Sequence, residues 1–208
     1  DSFKYLFKWR YLYDASATIM LSGTQGYPAP AVRIKSTDQQ YGFLYRGVTL
    51  PEINESEYIR VEVDWYIPEQ QNGTIAVLTG PVPSQNLWPF SIWVRDIATI
   101  EIILHHADAS GEQLERSIPF SFTPRRWYRF TVDMYVDQCK FSVNRYQLVT
   151  LYSSTYYRAM NTHVGFGDAS AEAPYRGYYL WDNLKIARIF GLLFYQQWHL
   201  RHILFFPF

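Results

Sequence analysis

Tyr58-Ile59-Arg60-Val61-Glu62-Val63-Asp64-Trp65-Tyr66-Ile67-Pro68 decides the fold class. In an extended chain, Ile59, Val61, Val63, Trp65 and Ile67 fall on one side and Tyr58, Arg60, Glu62, Asp64 and Tyr66 on the other. Successive side chains of a strand point to opposite faces, so this pattern predicts a strand with one face in a core. Pro68 has no N–H to give a sheet and ends it. The same alternation returns in Tyr128, Phe130, Val132, Met134 and Val136 against Arg129, Thr131, Asp133 and Tyr135. Asp137-Gln138 interrupts it and Lys140-Phe141-Ser142-Val143-Asn144 resumes it, which predicts a hairpin with the apolar set inward.

Working outward, a third strand is expected at 147–152, and earlier ones at 17–22, 31–36, 42–48, 73–78, 90–95 and 99–105. Gly, Pro, Asn or Asp clusters separate most of them. No long amphipathic helix is expected before residue 189, and there is no internal repeat or low-complexity linker. Short strands at this spacing predict an all-β protein, a two-sheet antiparallel sandwich of the jelly-roll kind.

The 208 residues suffice for one substantial core. With 19 basic and 19 acidic residues there is no cationic excess to neutralise a phosphate backbone, so no nucleic-acid partner is expected. Tyr, Phe and Trp make up 19% of the chain. Such enrichment suits half-buried strands, wet interfaces and sugar-binding surfaces. Cys139 is the one cysteine, so no intramolecular disulfide can form. The sequence opens on Asp1 without a basic-then-apolar leader, which reads as a processed, exported chain. Asn54-Glu55-Ser56 and Asn72-Gly73-Thr74 match the glycan-acceptor pattern, making Asn54 and Asn72 candidate modification sites outside the cell or at its surface.

Four stretches together resemble the concanavalin A-like lectin/glucanase (LamG-like jelly-roll) domains: GYPAPAVRIKS, EVDWYIP, RRWYRFTVDMYVDQCKFSVNRYQL and VGFGDASAEAPYRGYYLWDNLKIARI. The resemblance covers 1–189 and implies two antiparallel sheets, a Gly-rich turn at Gly165-Phe166-Gly167-Asp168, and a concave face of the kind that binds glycans. Hydrolases of that family carry an E-x-D-x-x-E strand motif. Glu62 and Asp64 share a face as that motif requires, but Ile67 stands where the third acid is needed. Glycoside cleavage needs two carboxylates flanking the scissile bond, so the expectation is no catalytic residue and no enzyme activity.

Other candidate sites are fewer. Tyr66, Trp88, Trp93 and Tyr135 are candidates for a sugar-stacking platform, while Trp65 and Trp181 are assigned to the core. Asp168, in a loop running from Gly165 to Gly177, and Asp182, with Asn183 beside it near the far end of that loop, are candidate calcium ligands; no other cofactor is expected. His105 and His106 are adjacent in sequence and point to opposite faces of a strand, which makes a shared metal unfavourable.

Residues 190–208 form an apolar extension. A membrane-spanning helix needs a long, uninterrupted apolar run. Gln196, Gln197, His199, Arg201 and His202 divide the extension into shorter runs, so no membrane span is expected. Leu192, Leu193, Phe194, Trp198, Leu200, Ile203, Leu204, Phe205 and Phe206 are too apolar to stand in water on a monomer and are expected to form an interface. A head-to-tail contact that does not close gives a filament. These features lead to the expectation of a non-catalytic structural subunit of an extracellular or cell-surface assembly, a homo-oligomer or polymer built through this tail. The alternative is a lectin-like module with a glycan partner, and a glycoside hydrolase is third.

Overall fold

A computed structural model describes residues 10–13, 18–22, 31–36, 42–67, 74–77, 90–95, 99–105, 113–152, 160–168 and 177–190. In chain order its strands are β1 (Arg10–Tyr13), β2 (Thr18–Ser22), β3 (Ala31–Ser36), β4 (Gly42–Leu50), β5 (Glu57–Ile67), β6 (Thr74–Val77) and β7 (Phe90–Arg95). They continue with β8 (Thr99–His105), β9 (Gln113–Pro119), β10 (Arg126–Met134), β11 (Gln138–Val143), β12 (Tyr146–Tyr152), β13 (Met160–Asp168) and β14 (Gly177–Phe190). Two seven-stranded sheets result. The first runs β1-β4-β13-β6-β7-β8-β9 and the second β12-β11-β10-β5-β14-β3-β2. Every pairing is antiparallel.

β5 behaves as its alternation predicts: from Glu57 to Ile67 buried and half-buried residues alternate without a break. Val61, Val63, Trp65 and Ile67 are fully enclosed. Beside β5 lies β10, in register from Arg126↔Ile67 to Met134↔Ile59, so its inward set of Tyr128, Phe130, Val132 and Met134 joins the same layer. Phe90, Ile92, Val94, Ile100, Leu44 and Phe166 of the first sheet meet that layer to form the core. Trp65 is its hub, with ring centroids 5.2 Å from Phe122, 5.2 Å from Tyr179 and 5.9 Å from Trp181. Burying each such side chain contributes about 1.5–3 kcal/mol, which is what holds the two sheets together.

The chain from Phe120 to Arg125 crosses the end of this core. Phe122 packs edge-on against Tyr128, and the Tyr128 hydroxyl accepts from the Thr123 N–H at 2.6 Å and donates to the Thr123 carbonyl at 3.2 Å. Both backbone groups of Thr123 are thereby satisfied at a corner where no strand could pair them.

The expected turn at Gly165–Asp168 is instead strand. β13 runs unbroken to Asp168, with Gly165↔Tyr45, Gly167↔Phe43 and Asp168↔Gly42 paired to β4. β13 lies inside the first sheet between β4 and β6, so its backbone groups are taken up by neighbours rather than by a turn. At Gly167 φ is 143°. That conformation is closed to side-chain-bearing residues, which accounts for glycine there.

Candidate functional site

Asp64 lies at the centre of the second sheet's outer face. Strand register places Arg129 of β10 on one side of it and Asp182 of β14 on the other. One step along, Trp127 is opposite Tyr66, with their rings 5.3 Å apart. Asp64, Trp127, Arg129, Asn144, Arg145, Asp182 and Asn183 line an open cavity of about 330 Å³ on this face.

Two carboxylates directly opposite each other on neighbouring strands repel, and the site counters this with donors. Arg129 grips Asp64 with two parallel bonds, Nε to Oδ1 at 2.6 Å and Nη2 to Oδ2 at 2.7 Å. Such a forked contact is the strong form of an ion pair, and it raises the Arg129 guanidinium above its ordinary pKa by more than burial lowers it. Asn183 adds a third bond, Nδ2 to Asp64 Oδ2 at 2.9 Å. Asp182 is 1% exposed, and its Oδ1 accepts the Asn183 N–H at 2.7 Å.

Asn183 reaches Asp64 because the ladder is irregular there. Asp182 pairs with Asp64 and Lys185 with Glu62, so Asn183 and Leu184 face Val63 alone. Two residues against one is a β-bulge. Its first residue, Asn183, is left-handed, with φ 53°. Glycine is the usual occupant of that conformation, and asparagine is among the few others that tolerate it. Glycine would supply no amide. Leu184 turns back into the core.

The opposite wall is the hairpin turn between β11 and β12. Val143 pairs with Tyr146, leaving a two-residue loop of Asn144 and Arg145 with φ 50° and 73°. Positive φ at both positions is the type I′ signature, whose twist matches that of the strands. Asn144 ties the turn to β10: its Oδ1 accepts the Arg129 N–H, and its own N–H donates to the Arg129 carbonyl, both at 2.8 Å. The backbone of Arg129 is thus fixed from one side while its guanidinium is fixed from the other.

At the far end of the same face, Tyr58 and Tyr135 stack at 4.7 Å. The Arg60 guanidinium lies over Tyr58 at 5.4 Å and the Lys140 ammonium over Tyr135 at 4.6 Å. Arg60 also forks onto Asp133 at 2.7 and 2.8 Å. The Tyr135 hydroxyl is pushed above its ordinary pKa, by burial first and then by the Asp133 carboxylate.

The residues expected to form a stacking platform are therefore spread out. Tyr66 borders the cavity through Trp127. Tyr135 lies at the other end of β5, with cations over the stack it shares with Tyr58. Trp93 is half-buried on β7 of the other sheet, with its Nε1 enclosed and without a hydrogen-bond partner among the described residues. Trp88 lies outside the described residues. Of the calcium candidates, Asp168 ends β13 in the first sheet and Asp182 lies in β14 of the second. Glu62 and Asp64 share the outer face, where Glu62 is level with Thr131 and Lys185. Asn54 is exposed just before β5, and its Oδ1 accepts from the Ser56 N–H at 2.9 Å and the Ser56 Oγ at 2.6 Å. Asn72 and the interface residues of 191–208 lie outside the described residues.

Four cavity residues were not singled out from sequence: Trp127, Arg129, Asn144 and Arg145. Half a signal existed for the turn, since asparagine favours the first position of a type I′ hairpin, but Arg145 stands where glycine would complete it. Nothing local marks Trp127, which alternation alone assigns only to the outward set.

No protein-family model and no curated protein matches this chain. Solved structures do. A glycoside hydrolase family 16 endo-glucanase from Bacteroides ovatus superposes with a TM-score of 0.66 at 13% identity, over 90% of this chain and 98% of that one. An endo-β-1,4-glucuronan lyase from the fungus Trichoderma reesei gives 0.58 at 8%, over 86% and 90%. The carbohydrate-binding module CBM66 from Bacillus subtilis gives 0.54 at 9%, over 86% and 94%.

The fold is the concanavalin A-like jelly-roll sandwich that the sequence resemblance implied. The expectation of no enzyme activity is corrected by the same comparison. Two of these neighbours are enzymes of essentially the same extent, so the fold is a scaffold for catalysis as well as for binding. The missing acid after Asp64 excluded only one motif at one place, and at these identities likeness speaks to fold and not to activity.

Proposed function

We propose that this chain binds a glycan in the cavity between the β10, β5 and β14 strands and the β11–β12 turn. One observation carries the reading: a half-buried indole, Trp127, shares a cavity with fixed polar groups from three strands and a turn. A sugar ring offers an apolar C–H face and a rim of hydroxyls. The indole face suits the first, and Asp64, Asn183, Asn144 and the arginines suit the second, since carboxylates accept while amides and guanidinium groups donate. The glycan-acting neighbours of the same fold support this class of ligand. An extracellular or cell-surface setting belongs to the same reading, where polysaccharides and the acceptor pattern at Asn54 would both have a use.

The test is a glycan array followed by calorimetry on the full chain and on Trp127→Ala. Losing a stacked ring should weaken binding about tenfold or more. The melting temperature should change little, because Trp127 is outside the core. Reducing-end release on the same samples reports whether the bound glycan is also cleaved. Glycan binding unaffected by Trp127→Ala refutes the location, and an array without any hit refutes the class.

A further inference from the structure

We infer that the cavity selects a glycan bearing a carboxylate, with Arg145 as its counter-charge and Trp127 beneath the sugar ring. This rests on the glycan-binding reading above and adds the class of sugar.

The charge at the mouth of the cavity carries the first half of the argument. Of the two guanidinium groups, Arg129 is committed to Asp64 by both forked bonds. Arg145 is exposed and makes no hydrogen bond or ion pair among the described residues. Of the two carboxylates, Asp64 is matched by Arg129, and Asp182 is 1% exposed. Among the residues lining the cavity, the exposed charge an incoming ligand meets is therefore the guanidinium of Arg145. A guanidinium presents two parallel N–H donors, the geometry that matches a carboxylate, whereas a neutral hydroxyl would use only one of them.

Backbone strain carries the second half. Asparagine suits the first position of a type I′ turn and glycine the second. Arg145 nevertheless occupies the second, at φ 73°. Among the described residues four non-glycines have positive φ, and three of them, Asn144, Arg145 and Asn183, border this cavity. Strained conformations persist where surrounding structure over-determines them, and they gather at ligand sites. Glycine at 145 would relieve the strain but would place no cation there.

Arg145→Gly therefore has opposed effects on stability and recognition. The melting temperature should rise, because the turn receives its preferred residue, while the preference for an acidic sugar should vanish. An arginine with only a structural role would not link the two. The probes are tetrasaccharides of glucuronate, galacturonate and mannuronate, each beside its carboxyl-reduced counterpart, titrated into the full chain by calorimetry. Wild type should bind at least one acidic member about tenfold more tightly than its reduced partner, a difference of about 1.4 kcal/mol. That margin should shrink with added salt, and Arg145→Gly should abolish it. Arg145→Lys, which keeps the charge but loses the fork, should fall between. Equal affinity for acidic and reduced forms, or a preference surviving in Arg145→Gly, overturns this inference and leaves the glycan reading intact. Failure of every tetrasaccharide together with a silent array overturns both.

Discussion

Replacing Asn183 by alanine, and separately by glycine, divides the two tasks this residue performs. Its amide donates to Asp64 Oδ2 at 2.9 Å, and its backbone holds the left-handed bulge at φ 53°. A hydrogen bond to a charged acceptor contributes about 1.5–3 kcal/mol, and in a cavity open to solvent the lower end, about 1.5 kcal/mol, is the one to expect. Alanine loses that bond and also the local polar contacts by which asparagine offsets the crowding of a Cβ in the left-handed region, at about 1 kcal/mol. Asn183→Ala should therefore be destabilised by about 2.5 kcal/mol. Glycine loses the same bond without the strain, but its freer unfolded chain costs about 0.5 kcal/mol, for a total of about 2 kcal/mol. The assay is urea unfolding followed by the fluorescence of the buried indoles of Trp65 and Trp181, with the midpoint compared at an unchanged slope. Both variants should lower the midpoint, alanine further than glycine. If the alanine midpoint equals or exceeds that of glycine, the left-handed bulge is not what asparagine serves. If neither substitution moves the midpoint, the bond to Asp64 adds nothing to the fold.

Three further expectations follow from other parts of the molecule. Glu57 accepts Arg188 Nη2 at 2.7 Å and the Asn54 N–H at 3.0 Å, and these contacts, Arg188 foremost, hold its carboxyl below the ordinary 4.5. A depressed folded-state value adds stability above the ordinary pKa that is lost as pH falls through the folded one, so melting temperature should drop more steeply below about pH 4.5 in wild type than in Glu57→Gln. Parallel curves for the two proteins would remove Glu57 from the acid response. Secretion from a glycosylating host should add an oligosaccharide to Asn54, whose side chain already accepts the Ser56 hydroxyl; intact mass should show it lost in Asn54→Gln and Ser56→Ala. An unmodified Asn54 in the secreted protein rejects the site. The apolar extension, as a proposed interface, predicts that removing 191–208 leaves a folded domain that no longer self-associates in sedimentation. Unfolding of the shortened chain, or a full chain that is already monomeric, argues against that role.

What could be read without a structure was the part governed by local periodicity. Alternation in 58–67 and 128–134 assigned every residue to an inward or outward face, and the apolar sets of β5 and β10 are buried as assigned. A one-residue slip would turn the whole apolar set to solvent, so the pattern itself specifies the face. The hairpin of β10 and β11 was legible for the same reason, being a contact between neighbours in sequence. β1 and β9 carry weaker alternation and escaped, and the glycines of 165–168 suggested a turn where two flanking strands impose extension.

The sequence by itself determined that this chain is all-β, which side of each strong strand is apolar, and that one motif for glycoside cleavage is incomplete. Tertiary structure alone decided that β10 and β14 flank β5, and so that Arg129, Asp64 and Asp182 stand in one row. Residues 64, 129, 144 and 183 meet across long stretches of chain, and no periodicity records which strands become neighbours. That choice is made by how the apolar faces of both sheets pack together, a property of the whole core rather than of any segment. The left-handed residues at 144, 145 and 183 belong to the same decision, because the surrounding pairings hold them in place.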